Sequence, residues 1–257
     1  MRKRTIPYAL ISVMIMLTAC SVSRQVPLYC DVNNPLKRVA VLPMRNDTAD
    51  VEGPDVVRKK MVKALERRSY VVMDIKATDQ ILRDQMGITL GGQLDMTTPQ
   101  ELGKTLDVEG ILYGTLMDFD EVTTGAYNVR KVRAKFKLVN TQTGVTLFQQ
   151  GLGVKSEVYM KGKAGGATAV VAKIFDSRDN EVPWITLYQG TTGTEDITKS
   201  FAISLGVKLI TKAIGIHLDY ESTQLVERIS SNVPWGPGSF GISSSKPVNP
   251  NAPLKTF

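Results

Sequence analysis

The stretch KRVAVLPMRNDT places four consecutive apolar residues, Val39 to Leu42, ahead of Pro43 and a polar cluster. An unbroken apolar run of that length predicts a strand buried on both faces. GPDVVRKKMVKALERRSY then sets Val57, Met61 and Leu65 at helical spacing, with Pro54 suited to a first turn. YVVMDI, 70–75, predicts a second strand. ATDQILRDQMG, 77–87, predicts a short helix with Ile81, Leu82 and Met86 inward and Gly87 as its stop. In TTPQELGKTL, Thr98 can cap, Pro99 takes the first helical position and Glu101 completes a capping box.

A third strand is expected over 108–119, VEGILYGTLMDF, followed by a hairpin. There Val132, Ala134, Phe136 and Leu138 alternate with Arg133, Lys135 and Lys137, so one face packs and the other is solvated. The return strand runs from Val145 to about Tyr159, with Phe148, Leu152, Val154 and Val158 on one side. Further on, Ala167, Val170, Val171, Ile174 and Phe175 fit one helical face. A second capping box, Thr192 to Glu195, opens a long helix to about Leu218. Its stripe of Ile197, Phe201, Leu205, Leu209 and Ala213 is broadened by Ile203, Val207, Ile210 and Ile214, which requires burial on more than one side. The fold class is therefore α/β: a mixed sheet with helices packed on it, in the order β-α-β-α-α-β-β-β, followed by a long C-terminal helix.

The first residues follow a different logic. Arg2, Lys3 and Arg4 precede the uncharged run YALISVMIMLTA, too short for a spanning helix and about right for a signal peptide. Leu17, Thr18, Ala19 and Cys20 fit the lipobox of bacterial lipoproteins. Cleavage before Cys20 and acylation of its thiol and new amine are what that pattern implies, and several acyl chains anchor a protein stably. An ordinary secretory signal with an incidental cysteine is the other reading. Ser21 stands where an aspartate would resemble an inner-membrane retention signal, so the expected location is the outer membrane, facing the periplasm. The expected organisation is a signal over 1–19, a tether over 20–36 and an α/β domain over 37–229 with an insertion at 161–190. A Pro-, Gly- and Ser-rich disordered tail follows over 230–257.

Removing residues 1–19 changes the charge. Arg and Lys fall from 32 to 29 against 25 acidic side chains, so the net charge drops from +7 to +4. That balance, scattered along the chain, gives no argument for nucleic acid. Cys30 is left as the lone thiol once Cys20 is acylated, so no intrachain disulfide can form.

Candidate chemistry is sparse. His217, the only histidine, lies near the end of the expected apolar helix, and no Gly-x-Ser-x-Gly elbow accompanies it. Asp118, Asp120 and Glu121 supply hard oxygens at what reads as a strand-to-turn junction, without EF-hand spacing. GKAGGAT, 162–168, lacks the order of a phosphate loop. Tyr127, Trp184, Tyr188 and Trp235 are candidates either for surface contacts or for packing.

The order and spacing of Leu42-Pro43 and Asn46-Asp47-Thr48, the Tyr-Val-Val strand, GILYG at 110–114 and the hairpin KLVNTQTGVTLFQ carry a resemblance. Behind a lipobox, they resemble the DUF799 (GNA1162-like) family of bacterial lipoproteins, over about 37–160 and more weakly to 234–237. That family looks related in fold to the N-terminal domain of TolB, to the curli secretion-channel lipoprotein and to periplasmic activators of peptidoglycan synthases. The resemblance implies binding and assembly at the outer membrane, with envelope proteins as partners. The expectation is a non-enzymatic component, held by lipid on Cys20, with no cofactor and no metal, and with homo-oligomerisation open. A ring-forming subunit of a curli-type secretion channel is the alternative. A channel needs membrane strands of about 9 to 11 alternating residues, which neither AGGATAVVAKIF nor VPWITLYQ supplies convincingly.

Overall fold

The computed structural model describes residues 30–124, 127–160, 182–192 and 218–238. In β1 (Arg38–Val41), Val39, Ala40 and Val41 are buried, as the apolar run requires. β1 lies between two parallel neighbours, β3 (Val71–Val72) and β4 (Gly110–Thr124). β4, β5 (Tyr127–Asn140) and β6 (Thr146–Met160) form the expected antiparallel meander. β7 (Trp184–Thr192) adds to β6 in parallel, giving the order β3-β1-β4-β5-β6-β7, and β2 (Arg45–Asn46) pairs with β4 alongside.

Two helix layers sandwich the sheet. α1 (Gly53–Arg67) and α4 (Asp219–Ser230) cover one face, where Val57, Met61, Leu65, Leu225 and Ile229 meet Val39, Val41, Leu112, Leu116 and Phe136. α2 (Ile75–Met86) and α3 (Pro99–Leu106) cover the other, with Leu82, Leu102 and Leu106 against Ala40, Leu42, Ile111 and Val139. Each leucine buried this fully contributes roughly 1.5–3 kcal/mol. The Thr98 box forms as read: Glu101 N–H donates to Thr98 Oγ1 at 3.3 Å, and Glu101 Oε2 accepts from Thr98 N–H at 3.1 Å.

A bulge divides β4. Leu116 pairs with Ala134 and Asp118 with Arg133, leaving Met117 as the extra residue. One inserted residue reverses the alternation, so Phe119 and Glu121 continue on the α1–α4 side while Asp118 and Asp120 take the opposite face.

Several expectations are corrected. The second strand spans only Val71–Val72, because Asp74 caps α2 by accepting from Ala77 N–H at 3.0 Å and starts that helix at Ile75. Gly87 does end it, at φ +67°. The acidic trio sits inside β4, not at a strand-to-turn junction. Thr192 pairs with Met160 at the end of β7; the helix expected from there falls on 193–217, outside the described residues, as does the apolar run of 167–175. The helix α4 was not foreseen. Its first turn is too polar and its apolar positions too few for periodicity to reveal it.

Packing in the described residues extends past 37–229 at both ends. Leu36 is fully buried and Asn34 nearly so, so the packed structure begins well before residue 37. At the other end, Val233 is buried and chain bonding continues to Gly238. Proline and glycine mark 30–36 and 231–238 as loose, but side-chain and main-chain hydrogen bonds hold these described segments. Among the described residues no helix is long and apolar enough to cross a membrane.

Candidate interaction site

The acidic trio does not converge. Asp118 accepts from Arg133 Nε at 2.6 Å and lies 3.2 Å from Lys131 Nζ, so its carboxylate is occupied by cations. Asp120 is exposed on the same face. Glu121 points to the α1–α4 side, buried, 4.0 Å from Arg130, whose guanidinium lies 3.4 Å from the buried Glu221 of α4. Arg130 and Glu221 are near enough to attract but are not aligned for a hydrogen bond, and Arg130 Nε and Glu221 Oε2 lack a hydrogen-bond partner. Among the described residues, no three His, Cys, Asp or Glu side chains gather as metal ligands.

Two of the four aromatic candidates pack against cations. Arg133 lies 5.1 Å from the Trp184 ring centre, and Arg68 lies 4.3 Å from that of Trp235. Both indoles are half-buried. The side chains of Tyr127 and Tyr188, together with Cys20, His217 and 162–168, lie outside the described residues.

Trp235 belongs to a clasp that sequence reading missed. Asn34 Nδ2 donates to Tyr70 Oη at 2.9 Å and to the Trp235 carbonyl at 2.8 Å, while Asn34 Oδ1 accepts from Leu36 N–H at 2.9 Å. Tyr70 Oη donates to the Pro234 carbonyl at 2.9 Å. Gly236 N–H reaches the Arg68 carbonyl at 2.8 Å, Gly238 N–H the Ser69 carbonyl at 3.0 Å, and Asp31 N–H the Gly236 carbonyl at 2.9 Å. Arg68 Nη2 also donates to the Ser231 carbonyl. Burial pushes the Tyr70 hydroxyl up to about 12. Cys30 is a half-buried free thiol beside this knot. The two ends of the domain therefore meet at the amino end of β1.

The opposite end of β1 carries a different surface. The loop after β1 and the 3₁₀ turn Gly91–Met96 lock together there, with Arg45 bridging to Asp47 at 3.1 Å and to Asp95 at 3.2 Å. A Cβ on Gly91 would stand 2.3 Å from the Met44 carbonyl carbon, so only glycine permits this approach. Gln93 Oε1 accepts from the N–H groups of Thr89 and Leu90, at 2.8 and 2.9 Å. On this braced rim Val51, Leu90 and Met96 are 87%, 68% and 86% exposed. Exposed apolar side chains at this end of the sheet are candidates for protein contact. A separate open cavity of about 370 Å³ between α3 and the β5–β6 turn is lined by Gln100, Lys104, Asp107, Glu109 and Gln142. Its two carboxylates are engaged by Arg38, through the main-chain N–H to Glu109 at 2.7 Å and the guanidinium to Asp107 at 2.6 Å.

Comparison with known proteins gives a consistent placement. The family described as "Putative lipoprotein GNA1162-like" matches residues 31–189, from the clasp to β7. None of the curated protein sequences matches. The chain is similar in fold to the lipoprotein GNA1162 of Neisseria meningitidis, at 19% identity over 55% of this chain and 96% of that one, TM-score 0.44. It is similar also to PelC of Paraburkholderia phytofirmans, crystallised as a dodecamer, at 14% identity over 57% and 89%, TM-score 0.33. The C-terminal domain of LpoB from Salmonella enterica matches at 13% identity over 56% and 92%, TM-score 0.34. With the family match covering more than half of its length, the chain belongs to the GNA1162-like lipoprotein family.

Proposed function

We propose that this protein is acylated on Cys20, held at the periplasmic face of the outer membrane, and acts there as a non-catalytic binding or assembly component of an envelope complex. The observation that carries the reading is the polarity of the domain. The chain enters through the clasp at one end of β1, and the braced apolar rim of Val51, Leu90 and Met96 stands at the other. The rim thus stands at the end of β1 opposite the clasp, where a partner can reach it without disturbing the entry of the chain. Extended chain from Cys20 to Cys30 spans at most about 35 Å, which bounds the distance from bilayer to clasp.

The channel alternative meets an obstacle in β7. A membrane β-hairpin pairs antiparallel, whereas β7 pairs parallel to β6, so 184–192 is not the return strand of such a hairpin. The outward face of β5 carries Lys131, Arg133, Lys135 and Lys137, side chains costly to place in lipid.

The test is photo-crosslinking in intact envelopes, with a photoreactive residue in place of Met96. A discrete adduct to an envelope protein, lost when the probe is moved to the clasp-end residue Val32, is expected. The reading is abandoned if position 96 gives no adduct while the protein remains in the outer-membrane fraction.

A further inference from the structure

Met96 does not stand alone at its end of the sheet. It follows Asp95, whose carboxylate accepts from Arg45 Nη1 at 3.2 Å. Asp95 is also near enough to Tyr113 for its charge to act there: burial first, and that charge second, raise the hydroxyl to about 12. Lys137 in turn holds its ammonium 5.0 Å from the centre of the Tyr113 ring. Tyr113 thus joins the 3₁₀ turn to β5 on the α2–α3 side of the sheet. Strand register gives the scale. Arg45 pairs with Thr115 and Thr115 with Lys135, so the strand that anchors the turn lies two strand spacings, about 10 Å, from the lysine strand.

The positive charge along β5 is unevenly balanced. Asp118 accepts from Arg133 and lies beside Lys131. Opposite Lys135 and Lys137 stand Thr115 and Tyr113 on β4, and Gly151 and Gln149 on β6, none of them charged. Lys137 is exposed, and among the described residues no carboxylate pairs with it.

From this juxtaposition we infer that the partner meets Met96 and Lys137 together, through a protein segment that carries apolar and acidic side chains a few residues apart. The inference rests on the reading of the rim as a contact surface and adds the chemistry of what it contacts. Leu90 and Met96 offer apolar contact that a purely ionic ligand would leave unused. Lys137, with Lys135 two residues before it, places cations about 7 Å apart along β5, the spacing of alternate carboxylates in an extended segment. Arg45 is already matched by Asp47 and Asp95. Val51 is flanked by Asp50 and Glu52, so the acidic segment belongs on the Met96 side of the rim. Exposed charge pairs of this kind contribute up to about fivefold each and act largely on the rate of encounter.

The experiment keeps the photoreactive residue at position 96 of the full-length protein in intact envelopes and combines it with Lys137→Glu, Lys137→Gln or Lys137→Arg. Lys63→Glu, at an exposed position of α1, makes the same change of charge in the other helix layer. Thermal unfolding checks the fold of each variant, and the Gln variant carries the test should the Glu variant be destabilised. The adduct is expected to fall about tenfold in Lys137→Glu and about two- to fivefold in Lys137→Gln, and to persist in Lys137→Arg and Lys63→Glu. Digestion of the adduct should yield a partner peptide with carboxylates within about five residues of the crosslink. An undiminished adduct in folded Lys137→Glu or Lys137→Gln, or a partner peptide without carboxylates, overturns the acidic partner and leaves the rim as a contact surface. A lipid or glycan adduct in place of a protein overturns the protein occupant. No adduct at position 96 in the parent overturns the rim reading itself, and this contact with it.

Discussion

Asn34 donates to Tyr70 and to the Trp235 carbonyl through a single side-chain amide, joining the start of the described domain, the edge of its sheet and the segment after α4. With its carbonyl oxygen taken by Leu36 N–H, the buried amide makes three hydrogen bonds. Asn34→Ala leaves the partners short of water, at about 1 kcal/mol or more for each lost bond. We expect a loss of about 2–4 kcal/mol in urea unfolding, with an unchanged slope. A change below about 0.5 kcal/mol would show that the clasp does not hold the domain's ends.

The same knot makes a pH prediction. Burial raises the Tyr70 hydroxyl to about 12, whereas in the unfolded chain it ionises near 10. Below pH 10 both states keep the proton and its contribution is fully present. Between about 10 and 12 the unfolded state alone gives it up, so stability falls as pH rises, by at most about 3 kcal/mol. Tyr113, half-buried and likewise raised to about 12 by burial, adds a smaller loss over the same window. Tyr70→Phe is therefore less stable at pH 8, yet loses less on going from pH 8 to pH 11 than the parent. An identical alkaline loss in both proteins contradicts the assignment.

Arg58 is a test of the interior. It is 2% exposed, donates twice to the Val41 carbonyl at 2.7 and 3.0 Å, and forms a two-point pair with Asp79 at 2.7 and 2.9 Å. This ties α1 to the end of β1 and to α2. Asp79→Ala strands a buried guanidinium and is expected to cost about 3–5 kcal/mol. Asp118→Ala removes a partner from two less buried cations and should cost less. Thermal unfolding of the two variants gives the ranking, and the reverse order contradicts it.

The rim depends on Gly91. Gly91→Ala drives a methyl group into the Met44–Arg45 backbone, which cannot yield as a side chain tip would. The expected cost is about 1–3 kcal/mol, with the domain still folded. Crosslinking from position 96 should fall sharply in this variant. Retention of the full adduct would show that contact at Met96 does not require the braced geometry.

The strands β1, β3, β4, β5 and β6 and the first three helices were legible because their signals are local: the run Val39–Leu42, the alternation Val132–Leu138, and the Thr98–Glu101 box. Each fixes its element without help from distant residues. The clasp was not legible, since Asn34 and Trp235 lie in Pro- and Gly-rich stretches whose order comes from partners far away in sequence. Arg58 was hidden for a related reason: a lone arginine on a helix reads as solvated until Asp79 and the Val41 carbonyl are seen around it. The bulge at Met117 left no mark in composition, yet it decides which way Asp118 and Glu121 point. The rim was missed because Val51, Leu90 and Met96 are isolated apolar residues with no shared period.

The central claim is a folded binding domain hung from an acylated Cys20, and the intact mass of the mature protein tests it most directly. We predict an N-terminus at Cys20 carrying a thioether-linked diacylglycerol and an amide-linked acyl chain. A mature chain that begins elsewhere, or a Cys20 of unmodified mass, would contradict it.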